Sequence, residues 1–132
     1  MVPVDLAHKD DLEKAISEAC HVAKRNSATL HVVGVTSSAP TEVAGTPEEY
    51  DQKLKAYAEE VSGKAGCPVE SHSLVDVDVT ADLDRVLLET SENLNADLIV
   101  MASHVPGFME HIIASNAGYV ASHAKCSVYV VR

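Results

Sequence analysis

The chain has 132 residues, and its 10 Lys and Arg against 20 Asp and Glu give a formal net charge of −10. This acidic balance argues against nucleic acid as a partner, because phosphate binding needs clustered basic residues. The length predicts a single domain. No window approaches the ~20 apolar residues of a membrane span and no secretory signal opens the chain, so we expect no contact with a membrane.

Two strands and a helix are predicted in the first 36 residues. Val-rich stretches at residues 1–5 and 29–36 are typical of strands. Asp10 or Asp11 can cap the helix between them, which ends at Ser27. The inward-facing positions of this helix recur at helical spacing: Leu12, Ile16, Ala19 and Ala23.

Residues 46–95 predict a helix, an edge strand and a further helix. Thr46 suits the N-cap and Pro47 the first helical position, while Gly63 and Gly66 end this helix. The strand at residues 68–75 is more polar than the others, which favours the edge of a sheet. The helix that follows, residues 80–93, directs these side chains inward: Leu83, Val86, Leu87, Thr90 and Leu94.

Residues 97–132 predict a strand, a loop, a helix and a strand. The unbroken apolar run 98–102 indicates a strand buried on both faces, and residues 106–107, Pro and Gly, stop it. Residues 115–116, Ser and Asn, are N-cap candidates for the next helix, and the apolar run 126–131 is the last strand. Such a loop leaves the carboxyl end of a strand, where open parallel sheets bind ligands.

This C-terminal unit resembles the C-terminal half of the universal stress protein family. The resemblance is carried by three stretches, Ile99 to His104, Ala114 to Ala117 and His123 to Arg132, and Val2 to Asp5 resembles the family's first strand. Ala-Ser-His at residues 102–104 is closest to the enterobacterial F- and G-type branch. The resemblance implies one universal stress protein domain over residues 1–132. Its fold class would be α/β, an open parallel five-stranded sheet, Rossmann-like in the manner of the adenine nucleotide alpha hydrolases, with strand order 3-2-1-4-5.

The resemblance also implies a nucleotide loop, from which this chain departs. Members that bind ATP carry Gly-x-x-Gly, a nine-residue gap and Gly-Ser/Thr, in which glycine lets the backbone approach phosphates. In this chain Ala102, Val105 and Ala114 stand at the glycine positions, the gap is one residue shorter, and Ser115 alone matches. The resemblance implies that the F- and G-type branch can bind ATP without the first two glycines. That branch has Arg where Val105 stands and Gly where Ala114 stands.

Carried over position by position, the family site would lie at the carboxyl edge of the sheet. Asp5 would face the adenine or ribose, with Val4 and Val35 as an apolar wall; alternatively, Asp5 caps the first helix. No Lys or Arg lies between Arg85 and Lys125 to meet phosphates. The implied ligand is ATP, ADP or AMP, with Mg²⁺ for a triphosphate. The implied binding residues are Pro3, Val4, Asp5, Val35, Ala102, Ser103, His104, Val105, Ala114, Ser115 and Asn116.

No other motif predicts chemistry. Ser103 and Ser115 lack the Gly-x-Ser-x-Gly elbow of hydrolases, so we predict no catalytic residue. The seven histidines lack metal-binding spacing and are predicted to be surface or capping residues, with no metal site. The three cysteines lack metal or redox spacing, so we expect reduced thiols in a cytoplasmic protein. The histidines are His8, His21, His31, His72, His104, His111 and His123, and the cysteines are Cys20, Cys67 and Cys126.

The sequence thus predicts a regulatory, non-catalytic protein of the universal stress type that binds an adenine nucleotide. Two alternatives stay open: a nucleotide-free dimeric scaffold that acts through protein contacts, and a slow ATP hydrolase. The apolar edge of strand 126–131 is a template for pairing, and the resemblance implies a homodimer through this strand. The F- and G-type likeness further implies that two dimers join as a tetramer.

Overall fold

A computed structural model describes residues 1–103 and 112–132, and for residues 112–116 it describes the backbone alone. In this part of the chain, strands and helices alternate as the α/β prediction requires, which confirms the fold class. The strands are β1 Val2–Pro3, β2 Leu30–Ser37, β3 Val69–Asp76, β4 Leu98–Ala102 and β5 Ser127–Val131. The α-helices are α1 Glu13–Asn26, α2 Pro47–Ala65, α3 Val79–Asn93 and α4 Ile112–His123, and a 3₁₀ helix spans Leu6–Leu12.

The described strands form two parallel ladders, β1-β2-β3 and β4-β5, rather than one continuous ladder of five. The two ladders meet at Met1: its amino group donates to Leu98 O at 2.8 Å, and Val100 N donates to Met1 O at 2.9 Å. These bonds place β1 beside β4, as the order 3-2-1-4-5 requires. A regular β1–β4 ladder is absent among the described strands because β1 has two residues, and Pro3 has no N–H to donate.

The sheet lies between two helical layers, each with its own apolar core. On one face α1 and α2 pack on the sheet through Ile16, Leu54 and Val32. On the other face α3 and α4 pack through Leu87 and Val120. Both faces of the strands are therefore covered, which explains why their sequences are apolar runs rather than alternating patterns.

The sequence correctly predicted the N-terminus of α2. Thr46 Oγ1 accepts a hydrogen bond from Glu49 N at 3.2 Å, and Pro47 is the first helical residue. The helix runs through Gly63, contrary to the prediction, and ends at Gly66, which adopts φ 65°. Left-handed backbone is the conformation that glycine tolerates best, so Gly66 and not Gly63 is the C-cap.

The beginning of α1 differs from the prediction. Asp5 lies after β1, and its Oδ1 accepts a hydrogen bond from Ala7 N at 2.9 Å, which starts the 3₁₀ helix Leu6–Leu12. The α-helix itself begins only at Glu13, so the predicted caps Asp10 and Asp11 lie inside the 3₁₀ helix instead.

The beginning of α4 was also predicted wrongly. The helix begins at Ile112, so the backbone of residues 115–116 is helical rather than an N-cap. β5 begins at Ser127, one residue later than predicted. The three cysteines are free thiols. None of the described helices combines the length and the apolar character that crossing a membrane requires.

Candidate functional site

A cavity of about 360 Å³ opens at the carboxyl edge of the sheet. Its floor is formed by the ends of β1, β2 and β4, and its walls come from the loop after β2, from α2 and from α3. This volume falls in the range of about 300–1,000 Å³ that is usual for small-molecule sites. Because the floor spans β1 and β4, the cavity lies at the point where the strand order reverses, the usual ligand position in such sheets.

Five of the predicted site residues line this cavity: Pro3, Val4, Asp5, Val35 and Ala102. They come from three different strands or strand ends, and only the tertiary fold brings them together. The family resemblance implied this shared edge for all five, and the fold brings them there because parallel strands have their carboxyl ends on the same side.

The other predicted positions are distributed differently. Ser103 follows β4, and its backbone N–H donates to Val131 O at 2.8 Å. His104 and Val105 lie outside the described residues. Residues 114–116 belong to α4, and the structure describes their backbone alone. The predicted phosphate loop is therefore untested at its centre.

The apolar wall of the cavity is larger than the predicted Val4 and Val35. Five further side chains contribute to it, from β2, α2, α3 and β4: Val33, Tyr50, Leu83, Leu87 and Met101. Leu83 and Leu87 were predicted to point inward from α3, but the sequence did not show that the same stripe bounds a cavity. A wall of this kind suits a flat, apolar ring such as a purine base.

Tyr50 reaches the cavity because β2 carries a glycine beneath it. A Cβ built on Gly34 would lie 2.6 Å from Tyr50 Oη and 3.1 Å from Leu54 Cδ2, so any larger residue would collide with α2. Burial, together with the Asp5 carboxylate, raises the pKa of Tyr50 far above its usual value. Tyr50 is therefore a neutral phenol at physiological pH, able to donate a hydrogen bond.

Asp5 is held in place by two contacts. Its Oδ1 accepts from Ala7 N at 2.9 Å, and its Oδ2 lies 2.9 Å from His8 Nδ1. The Asp5 side chain is still 43% exposed. Each carboxylate oxygen can accept more than one hydrogen bond, so the capping role and a ligand-binding role are compatible. The capping interpretation of Asp5 is confirmed at the 3₁₀ helix, and its ligand-facing role stays a prediction.

The polar side of the cavity is built by the loop after β2. Thr41 N donates to Ala44 O at 2.9 Å, and Thr41 Oγ1 accepts from Ala44 N at 3.2 Å, so a compact turn forms. Lys53 from α2 donates to Val43 O and holds the turn against the helix. The lining hydroxyls and carboxylate on this side come from Thr36, Ser37, Thr41, Glu42 and Thr80. The sequence treated this segment only as a connection.

The charge of the described lining is negative. Asp5 and Glu42 contribute carboxylates, whereas no Lys or Arg is among the described residues that line the cavity. A ligand with several phosphate charges would find no Lys or Arg there to neutralise them, and the lining histidine, His8, already contacts Asp5. Lining hydroxyls and backbone amides are the neutral donors that could meet a phosphate.

Comparisons with known proteins agree with this geometry. The sequence profile of the universal stress protein family matches residues 1–132. Universal stress protein G of Salmonella typhimurium is 30% identical over 137 residues, which cover 100% of this chain and 96% of that protein. The universal stress protein of Archaeoglobus fulgidus superposes with a TM-score of 0.73 at 20% identity, covering 99% of this chain and 96% of the other.

Two further solved structures of this fold contain nucleotides. A universal stress protein in complex with cAMP has a TM-score of 0.69 at 19% identity, covering 99% of this chain and 95% of that one. The Archaeoglobus fulgidus protein in complex with dAMP has a TM-score of 0.67 at 21% identity, covering 99% and 94% respectively. At these identities the likeness demonstrates the shared fold.

Proposed function

Because this chain belongs to the universal stress protein family, we propose that it is a regulatory protein whose cavity at the carboxyl edge of the sheet binds an adenine nucleotide. The observation that supports this most is the convergence of Pro3, Val4, Asp5, Val35 and Ala102 on one cavity of about 360 Å³. Relatives of the same fold have been solved with cAMP and with dAMP.

The proposed pose follows from the polarity of the lining. The adenine lies against the wall formed by Val35, Leu83 and Leu87, which removes its faces from water. The Asp5 carboxylate accepts from a ribose hydroxyl or the exocyclic amine, since an ionised carboxylate can only accept. We place the phosphate toward the start of α4, where the first backbone amides of the helix are its donors.

We further propose that the site gains little from a second or third phosphate. Each added phosphate brings negative charge into a cavity lined by Asp5 and Glu42, and no Lys or Arg is among its described lining residues. cAMP and dAMP, found in the two related structures, each contain one phosphate. We therefore expect AMP to bind within about tenfold of ATP without metal, a difference below about 1.4 kcal/mol. Mg²⁺ should improve ATP more than AMP.

Calorimetric titration with adenosine, AMP and ATP, each with and without Mg²⁺, tests the proposal. Val35→Asp places a charge on the apolar wall and should abolish binding, whereas Val77→Asp, at a residue that is 90% exposed, is the matched control. Far-UV circular dichroism checks that both variants fold. If none of the three ligands gives heat at millimolar concentration, the nucleotide-free scaffold is the better account.

A catalytic role is not part of this proposal. Transfer of a phosphoryl group needs positive groups on the phosphate oxygens, and the described lining contains no Lys or Arg. We expect phosphate release from ATP to match the buffer blank over hours. Turnover that disappears in Val35→Asp but persists in Val77→Asp would favour the slow ATP hydrolase instead.

We also propose a homodimer through the outer edge of β5. Within the described chain this strand pairs with β4 alone, so its other edge offers backbone donors and acceptors. Its residues Val128 and Val130 are half-buried, and Tyr129 is 40% exposed. A twofold axis would place each β5 antiparallel to its mate.

Light scattering on the wild type and on two edge variants tests the dimer. Val130→Lys should yield monomers, while Val75→Lys, at a 52% exposed position on the edge strand β3, should leave the dimer intact. The same measurement separates a dimer from a tetramer of two dimers. A wild-type monomer would end this proposal.

A further inference from the structure

Two histidines and a glutamate converge on β2 and β3, far from the nucleotide cavity. His31 Nδ1 lies 2.9 Å from His72 Nε2, Glu70 Oε2 lies 3.5 Å from His31 Nδ1, and Glu70 Oε2 lies 4.0 Å from His72 Nε2. From this geometry we propose that His31, His72 and Glu70 form a binding site for a divalent transition metal ion of the Zn²⁺ class.

Strand register explains why the three side chains meet. His31 on β2 is the direct neighbour of Glu70 on β3, about 4.8 Å away across the parallel ladder. His72 lies two residues beyond Glu70, so it projects from the same face of the sheet. The regular strand backbone therefore places all three side chains next to one another. Rigid strands position metal-ligating side chains more accurately than loops do.

The distances fit a metal ion. The circle through three atoms separated by 2.9, 3.5 and 4.0 Å has a radius of about 2.1 Å, the length of a bond from Zn²⁺ to imidazole nitrogen or carboxylate oxygen. Tetrahedral coordination at this bond length requires ligand separations of about 3.4 Å. The two imidazoles must therefore move apart by about 0.5 Å, and the Glu70 carboxylate must approach His72 by a similar amount, which side-chain rotation accommodates.

The environment suits a three-ligand site with an open position. The His31 and His72 side chains are only 21% and 27% exposed, whereas that of Glu70 is 61% exposed. The nitrogen ligands are thus sheltered, and water can complete the coordination from the side of the carboxylate. Two imidazoles and one carboxylate are ligands typical of Zn²⁺, Co²⁺, Ni²⁺ or Cu²⁺ rather than of Ca²⁺ or Mg²⁺. The formal net charge of −10 also attracts a cation.

Without metal, the two facing ring nitrogens share one hydrogen at 2.9 Å. Metal binding requires both of these nitrogens to be unprotonated. The shared hydrogen therefore leaves the gap, and the imidazole that carried it takes a proton on its other ring nitrogen through solvent. Both rings stay neutral, and the ion replaces the hydrogen between them.

The site is separate from the proposed nucleotide site. His31 is the second residue of β2, and Val35, in the cavity wall, lies four residues further, about 13 Å along the strand. The metal proposal therefore stands or falls independently of nucleotide binding.

Titration of untagged, chelator-treated protein with Zn²⁺ tests the proposal by calorimetry and thermal unfolding. We expect one ion per chain and a melting temperature that rises with Zn²⁺ concentration. Loss of a group that only orients a metal ligand weakens metal binding by about 10- to 100-fold. Because Glu70 and His72 are proposed as ligands themselves, Glu70→Gln and His72→Gln should each weaken Zn²⁺ binding by more than that. His21→Gln is the matched control, because His21 is an exposed histidine on α1 outside the cluster.

Two results would overturn the proposal. One is absence of saturable Zn²⁺ binding at high micromolar concentration, which would leave the cluster as a hydrogen-bonded histidine pair. The other is equal affinity in Glu70→Gln, His72→Gln and His21→Gln. Glu70 is exposed, so its variant should fold normally even if His72→Gln does not. Binding of Co²⁺ with a thiolate-to-cobalt charge-transfer band would likewise refute this site in favour of cysteine ligands.

Discussion

Replacing Gly34 by alanine should destabilise the protein by overfilling the contact between β2 and α2. The new Cβ would lie 2.6 Å from Tyr50 Oη and 3.0 Å from Tyr50 Cε1, on a ring that is only 4% exposed. Such overpacking costs about 1–3 kcal/mol, while the loss of chain entropy in the unfolded state returns about 0.5–1 kcal/mol. The net cost is then at most about 2.5 kcal/mol and centres on about 1.2 kcal/mol, or a melting temperature lower by roughly 4 °C for a chain of this length.

Gly63→Ala is the matched control for this substitution. Gly63 lies inside α2, and a Cβ there would meet no atom within 4 Å. Alanine should stabilise a helix at such a position by about 0.5–1 kcal/mol. Thermal and urea unfolding, followed by far-UV circular dichroism, should therefore show shifts of opposite sign for the two Gly→Ala variants.

A double-mutant cycle with Tyr50→Phe tests the proposed cause. Removing Tyr50 Oη eliminates the nearest atom, so Gly34→Ala should cost distinctly less in the Phe background than in the wild type. If Gly34→Ala is as stable as the wild type, or if its cost is the same in both backgrounds, the packing argument is wrong.

Three further predictions concern helix ends and ionisation. Thr46→Ala removes the acceptor for Glu49 N and should cost about 1 kcal/mol in urea unfolding, whereas Thr46→Ser should cost much less. Gly66→Ala forces a Cβ into backbone at φ 65° and should cost about 1 kcal/mol, so a gain in stability would contradict the assigned C-cap. Burial raises the pKa of Tyr57 to about 12 and raises that of Tyr50 further. The folding stability linked to these two neutral phenols is therefore fully present below pH 10.0, the ordinary tyrosine pKa, and is lost as the pH rises through about 12. The nearby Glu18 carboxylate also raises the pKa of Tyr129, so absorbance titration should show three of the four tyrosines ionising above the ordinary value, and four ordinary midpoints would refute this.

The order of the elements could be predicted from the sequence because its signals are local. Thr46 and Pro47 mark the start of α2 by the hydrogen bond and the backbone angle that each residue type prefers. The run of residues 98–102 predicts β4 because only a strand covered on both faces is apolar throughout. The polar strand β3 is indeed at the edge of its ladder in the described sheet. These features depend on a few consecutive residues, and propensity decides them.

The same reasoning failed where two local structures compete for one segment. Asp10 and Asp11 were predicted to cap α1, but the alternative cap, Asp5, starts a 3₁₀ helix ahead of them. The predicted N-cap at residues 115–116 is equally plausible locally, but the helix begins at Ile112. At both places the choice depends on packing against the rest of the fold, which a window of sequence does not contain.

The sequence by itself determined the α/β class and, through its resemblance, the family and the candidate residues Pro3, Val4, Asp5, Val35 and Ala102, which meet at one edge because parallel strands align their carboxyl ends. The tertiary structure alone decided what surrounds that edge and what else converges. Tyr50 lines the cavity because Gly34, on the preceding strand β2, is small. His31 and His72 are 41 residues apart and match no metal spacing, yet the register of β2 and β3 brings their nitrogens to 2.9 Å. Contacts between distant residues follow from how strands pair and helices pack, and linear spacing carries no record of either.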